Sequence, residues 1–427
     1  MTTAFIAVVA ALSNQQPLQG QALLDDLSRR AVKFFWETPN PRTHFSLDRA
    51  PNFDDSATSN GEVSSIASTG YALAACAVGA KHGWIRKDEA LERARDTLRQ
   101  VYAKSQHAHG WFYHFIDWQT GKRVWNSEAS TIDTSLFLNG ALVAQTYFKD
   151  KEFDALFKKI TDRIDWKWML TDGGAKPDSV HFTMGWRPED GFINARWDSF
   201  NELMHLQLIA YTLWPEMPVK SWDTWKRPVV EYAGYKLLAG GPLFLHQMAQ
   251  GFYDFAGRRD RLGFDYWVDS RNATLAQIAF CKANPGKFVG YSDKVWGLSA
   301  CDNPDGYNAN GAPVWVTDNG TLAPACATAS VLFTPKESLE ATEAIVKQYP
   351  KTYGIYGFTT GFNPSRKWQS PDVIGIDIGQ MMLNIENAKD GTFHKAVMSD
   401  PRVQAAFAKI GLNKTSEGPL EQRVLKK

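Results

Sequence analysis

Apolar residues recur at three- and four-residue intervals along most of the chain, the pattern of helices that turn one face to a core rather than of strands that alternate sides. Leu24, Leu27, Ala31 and Phe34 make the first stripe. Further stripes predict helices at 65–82, 87–104, 130–148, 151–166, 199–213, 220–238, 243–255, 260–283, 320–333, 336–349 and 376–388. The fold is therefore expected to be all-α, with about twelve helices. Short turns alternate with long Gly-, Asn- and Trp-rich connections at 110–128, 171–197, 289–318 and 353–373. Connections of that length without regular structure usually carry function. Twelve helices joined by alternating short and long loops suit a double ring, an (α/α)6 toroid whose long loops line a cleft at one mouth. No Pro/Ser-rich linker divides the chain, which reads as one catalytic domain over 21–427.

Two acidic motifs each follow a Trp-rich loop and open an apolar helix. One holds Trp125, Glu128, Ser130 and Asp133, and the other holds Trp197, Ser199, Asn201 and Glu202. Glycoside hydrolysis needs one carboxylic acid to protonate the leaving oxygen and one carboxylate to activate water or attack the sugar. The same spacing also suits capping boxes, in which the acid at Asp133 or Glu202 reaches back to its own helix N-terminus. Thr334 and Glu337, with Pro335 at the first helical position, repeat the pattern as a purely structural cap. A helix N-terminus favours the ionised carboxylate, so a general acid placed there must be desolvated. Glu202, followed by Leu203, Met204 and Leu206, has the more apolar company and is the candidate acid.

Charge and composition narrow the partner. Lys plus Arg (47) balance Asp plus Glu (46), so no basic excess points to nucleic acid. Sixteen Trp within a 13% aromatic content supply faces that stack on pyranose rings. Arg42 with Asp48 and Arg49, Trp186 with Arg187, Glu189 and Asp190, and Trp296 with Asp302 are further polar and aromatic clusters suited to sugar hydroxyls and rings. The four cysteines fit no zinc spacing, and Cys281 and Cys301 are candidates for one bridge if the chain is exported. His107, His109 and His114 match no standard metal site and show no acid partner, so no metal is expected. The apolar stretch 4–12 reads as the remnant of a secretory signal within a leader of about 20 residues, which suggests a periplasmic or secreted protein. No segment has the length of a membrane helix.

At these motifs the chain resembles the glucoamylase-like family that includes glycoside hydrolase family 144, the endo-β-1,2-glucanases, and the transglycosylase domain of cyclic β-1,2-glucan synthases. The resemblance runs through Phe34–Pro41 with Asp48-Arg49, Ala67–Ala72, Gly110–His114, Ser127–Thr134, Asn201-Glu202, Trp296–Asp302, Gly306-Tyr307, Asp318–Pro324, Gly361–Pro364, Gly375–Gln380 and Ile385–Asn387. It implies an (α/α)6 toroid, an inverting mechanism on β-1,2-glucan and no cofactor. By position it implies Glu202 as the central acid, with Asp133 and Glu128 in the same cleft and Asp133 as base, acting through a water or substrate-hydroxyl relay. Arg49, Trp111, Trp125, Trp186, Arg187, Trp197, Asn201, Trp296, Tyr307 and Asp377 are the expected substrate contacts. Retaining transglycosylation and non-catalytic glycan binding are the alternatives on this scaffold. The expected partner is a β-glucan, with no nucleic acid or membrane involved, and the expected state is a monomer or weak homodimer.

Overall fold

The computed structural model describes residues 18–53 and 61–414. Its helices are α1 (Gly20–Glu37), α2 (Ile66–His82), α3 (Lys87–Lys104), α4 (Thr131–Phe148), α5 (Lys151–Thr161), α6 (Trp166–Thr171), α7 (Leu203–Leu213), α8 (Lys220–Asp223), α9 (Phe244–Phe252), α10 (Tyr266–Ala283), α11 (Pro324–Ala329), α12 (Pro335–Gln348), α13 (Gly375–Lys389), α14 (Thr392–Met398) and α15 (Pro401–Lys409). The leader expected at 1–20 falls on residues 1–17, which lie outside the described residues, except at its end. There Gly20 already opens α1, and its N–H donates to Glu343 Oε1 at 2.7 Å.

Helices α2, α4, α7, α9, α11 and α13 are buried almost all round, whereas α1, α3, α5, α12 and α15 each bury one stripe. An all-apolar helix is stable only when other elements enclose it, and the striped helices supply that enclosure. Around the interior, α2 packs on α4, α4 on α7, α7 on α9, α11 on α13, and α13 on α2. Gln247 of α9 joins α11 by donating to the Cys326 carbonyl at 2.9 Å and to Ser330 Oγ at 2.7 Å. On the outside, α1 covers α2 and α13, α3 covers α2, α10 covers α9, and α12 covers α11.

The tightest approach is between α2 and α4. A Cβ on Gly140 would lie 2.0 Å from the Gly70 carbonyl oxygen, and one on Gly70 would lie 2.4 Å from Phe137 Cα, so the two backbones touch. Gly140→Ala is accordingly expected to destabilise the protein by about 1–3 kcal/mol, because the clash is with backbone that cannot rotate away. Chemical denaturation of the variant would measure it.

Several predicted elements differ. The segment 220–238 contains only the short α8, followed by a hairpin that pairs Val229–Tyr232 with Tyr235–Leu238. Pro228 stops a helix there, and Ala233 and Gly234 both take positive φ (50° and 82°), the two-residue turn that strand twist favours. The 151–166 stripe is broken into α5 and α6, and the 320–333 stripe into α11 and a 3-10 turn at Ser330–Leu332. Helices α14 and α15 were not expected. Thr334 does not cap α12 through its side chain, because its hydroxyl is engaged with Ser330 O and Ser338 Oγ instead. All four cysteines are free and buried, so the Cys281–Cys301 bridge is absent. Among the described residues no helix is long and apolar enough to cross a membrane.

Short strands lead into the buried helices and set where their N-termini point. Ala129–Ser130 runs into α4, Val63–Ser65 into α2, and Asp372–Ile374 into α13. The last of these pairs antiparallel with Arg49–Pro51, placing Arg49 opposite Ile374.

Candidate active site

The N-terminal ends of α4, α7, α9 and α13 converge on one cavity of about 430 Å³, contributing Asp133, Glu202, Phe244 and Asp377 to its wall. Asp48, Arg49, His114, Phe115, Ser299 and Tyr307 add to the polar and aromatic lining.

Glu202 is not part of a capping box. Helix α7 begins at Leu203, whose N–H donates to Asn201 Oδ1 at 2.9 Å, and the Glu202 side chain makes no cap bond. Asn201 Oδ1 therefore serves the helix end. Burial pushes the Glu202 carboxyl up to about 7, and the charge of Asp133 adds to that against its own backbone N–H. At neutral pH a large fraction still carries the proton that a general acid needs.

Asp133 sits in the first turn of α4. Ser130 caps the helix by accepting the Asp133 N–H at 3.2 Å and donates its hydroxyl to Asp133 Oδ2 at 2.6 Å. The acid is thus held by the capping residue's side chain and does not reach back to its backbone. His114 faces Asp133 Oδ1 through Nε2 at 3.5 Å and Glu128 Oε1 through Nδ1 at 3.3 Å. Burial opposes charge on this ring, but Asp133 and Glu128 outweigh it and raise its pKa to about 9. The acid partners that the sequence did not reveal for His114 are these two. His114, Glu128 and Asp133 offer ligand-type atoms within 4.8 Å of one another. With its raised pKa, His114 forms a charged bridge between Asp133 and Glu128. For Asp133, burial raises the pKa above the ordinary value and exceeds the opposing pull of His114 and Ser130.

Asp377, half-buried, is a further acid on the cavity wall. Burial lifts it to about 7, against the hydrogen bond donated by Thr360 Oγ1 at 2.8 Å. Arg49 braces the adjoining wall, with Nη1 3.1 Å from Asp302 Oδ2, Nε 3.3 Å from Asp48 Oδ2, and Nη1 3.7 Å from Asp372 Oδ2.

The remaining expected contacts divide. Tyr307 lines the cavity. Trp125, 57% exposed and in a left-handed conformation (φ 53°), sets its ring edge against Phe115 at 5.1 Å, and Phe115 stacks on His114 at 3.8 Å. Arg187 approaches Glu128 Oε2 at 3.9 Å and donates from Nε to the Asn126 carbonyl at 3.0 Å. Trp186 is half-buried against Trp168, centroids 5.4 Å apart. Trp111, Trp197 and Trp296 are corrections. All three are buried, Trp111 edge-on to Trp166 and Trp197 donating Nε1–H to Thr131 Oγ1 at 2.8 Å, so none offers a face to a sugar. Phe244, Met248 and Gln380 were missed, since an apolar or amide side chain in a helix stripe looks like core in sequence.

Comparison with known proteins gives this cavity a context. A family model described as "Putative glucoamylase" matches residues 194–401, the stretch that holds Glu202, Asp302 and Asp377. The exo β-1,2-glucooligosaccharide sophorohydrolase (non-reducing end) of Parabacteroides distasonis is 26% identical over 438 residues, covering 92% of this chain. The chain spans only 58% of that relative's length. The resemblance to the glucoamylase-like family stands. Among solved structures, a "putative glucoamylase" of Bacteroides fragilis is 25% identical with a TM-score of 0.84, covering 95% of this chain and 100% of its own. The endo-β-1,2-glucanase of Chitinophaga pinensis, in complex with sophorotriose and glucose, shares the fold at 23% identity and a TM-score of 0.82, covering 93% of this chain and 99% of its own. The glucoamylase-like match includes the helices that follow Glu202 and carry Asp377, and the helix that carries Asp133 lies before it.

Proposed function

We propose that the chain is a glycoside hydrolase that cleaves β-1,2-glucan internally with inversion, Glu202 protonating the leaving oxygen and Asp133 acting as base. The observation that carries this reading is that two acids on the wall of one cavity stand in different surroundings. Glu202 is held near pH 7 by burial, while Asp133 is matched by the His114 imidazolium. Surroundings that differ in this way, a carboxyl without a side-chain cap bond and a carboxyl held by Ser130 and His114, favour acid and base roles respectively. Glu128 holds the other side of His114 and positions it. Supporting the substrate are the names of the Parabacteroides and Chitinophaga relatives, both of which refer to β-1,2-linked glucose chains. The same reading makes the six enclosed helices the inner ring of an (α/α)6 toroid and 21–427 one catalytic domain. A polymeric substrate and the apolar stretch 4–12 favour a periplasmic or secreted site of action.

Incubation with linear β-1,2-glucan, following product size and anomeric configuration, tests the proposal. Mixed short oligosaccharides of inverted configuration support it. Retained configuration would indicate transglycosylation, and an intact polymer would point to binding alone. A second reading, release of disaccharide units from the chain end, is favoured by the name of the Parabacteroides relative and would give a single disaccharide from the first minutes.

Asp133→Asn is expected to lower kcat by about 10²–10⁴-fold, the usual weight of a general base, with KM nearly unchanged. Steady-state kinetics of Asp133→Asn beside Asp377→Asn decides the assignment. Turnover that survives the first change and is lost with the second would move the base to Asp377.

A further inference from the structure

Beside the cavity lies a segment that the proposed chemistry does not use. After the strand Gly306–Ala309 the chain passes through Val314, Trp315 and Val316, which are 44%, 58% and 55% exposed. Three consecutive apolar side chains held in water form a patch rather than a scattered exposure, and such patches mark contact sites. The tip is anchored. Gly311 N–H donates to Thr317 O at 2.8 Å, and Thr317 N–H donates back to Gly311 O at 2.9 Å. Its base is pressed against Gly241 and Pro242. A Cβ on Gly311 would lie 2.3 Å from the Gly241 carbonyl carbon, and the Trp315 carbonyl oxygen is 3.5 Å from where a Gly241 Cβ would stand. Three residues on from Gly241 is Phe244, part of the cavity wall, and three residues of chain span at most about 10 Å. Tyr307, 58% exposed and also on the wall, belongs to the same excursion.

We propose that Trp315 is a stacking platform for a sugar residue of the glucan chain lying outside the cleavage cavity, so that chains long enough to reach it bind more tightly than the shortest chains cleaved. The inference rests on the hydrolase reading above. An indole face accepts the C–H face of a pyranose while the sugar hydroxyls stay in water, and the exposed neighbours Val314 and Val316 add apolar surface. A glucan is the occupant favoured over a second copy of the chain because the excursion that carries Trp315 also carries Tyr307 of the cavity wall and packs on Gly241, three residues from Phe244 of that wall.

The test compares KM and kcat of the parent, Trp315→Ala and Trp315→Phe on long linear β-1,2-glucan and on the shortest oligosaccharide the parent cleaves. Binding of the long glucan to Glu202→Gln, with and without Trp315→Ala, is measured alongside. Trp315→Ala is expected to raise KM for the long chain by about twofold to tenfold relative to the short one, with the same loss of binding in the Glu202→Gln background. Trp315→Phe is expected to restore part of the effect. An unchanged long-to-short KM ratio overturns the platform while leaving the hydrolase reading intact. So does a parent dimer that Trp315→Ala dissociates without changing KM. A parent that neither cuts nor binds β-1,2-glucan overturns both.

Discussion

Glu202→Gln is expected to lower kcat on β-1,2-glucan by about 10²–10⁴-fold and, in the same variant, to raise the melting temperature at pH 8. The first effect follows from loss of the only proton held near pH 7 at the end of α7. The second follows from linkage. The folded carboxyl titrates at about 7 and the unfolded one near 4.5, so the unfolded state ionises first as pH rises. Stability from this group is therefore lost between pH 4.5 and 7, by about 3 kcal/mol once both pKa values are passed. Glutamine removes that penalty, so parent and variant melt together at pH 4 and separate at pH 8. A protein that used Glu202 as a helix cap would instead lose about 1 kcal/mol at both pH values. Scanning calorimetry at the two pH values, run with kinetics, separates these cases. The alkaline limb of the parent's pH–rate profile is expected near 7, where the acid gives up its proton.

Glu386→Gln is expected to have the largest effect on stability. This fully buried carboxylate receives Lys81 Nζ at 2.8 Å, His82 Nε2 at 2.7 Å and Ser28 Oγ at 2.8 Å, joining α1, α2 and α13. Burial alone would raise its pKa, but His82, Lys81 and Lys389 reverse that and hold it at about 2. Because the folded pKa lies below the unfolded one, the contribution is complete above pH 4.5 and fades as pH falls toward 2. The amide variant should lose about 3 kcal/mol at pH 7, with the difference from the parent shrinking on acidification. Urea unfolding at pH 7 and pH 3 measures both. Equal unfolding midpoints at pH 7 would show that the cluster contributes nothing net.

How much of this was legible in the sequence depended on how local the determining interactions are. Helix α3 was read with its bounds at Lys87 and Lys104 because one apolar stripe and flanking charges define it without help from elsewhere. The 220–238 stripe misled because Val229, Val230 and Tyr232 satisfy a helical spacing as well as an alternating one, and Pro228 with the turn at Ala233-Gly234 distinguishes them. Helix α15 did carry local signals, Asp400 as cap, Pro401 in the first turn, and Val403, Ala406 and Phe407 on one face. Glu202 and Asp133 stood out because a helix start after a Trp-rich loop is a local pattern. The bridge from Glu128 through His114 to Asp133, and the grip of Arg49 on Asp302 and Asp372, depend on segments far apart in the chain. The indoles were over-read for the converse reason, since composition counts Trp111 and Trp296 equally with Trp125 and burial does not.

The pairing of Arg49–Pro51 with Asp372–Ile374 has a consequence for synthesis. A nascent chain acquires Asp133 and Glu202 before Asp302 and Asp372, so the wall that Arg49 braces waits for those later segments. A partial chain therefore holds the two candidate acids without the wall that completes their cavity. Turnover reports closure, and a chain cut within the late loop should recover activity only when both pieces are supplied together.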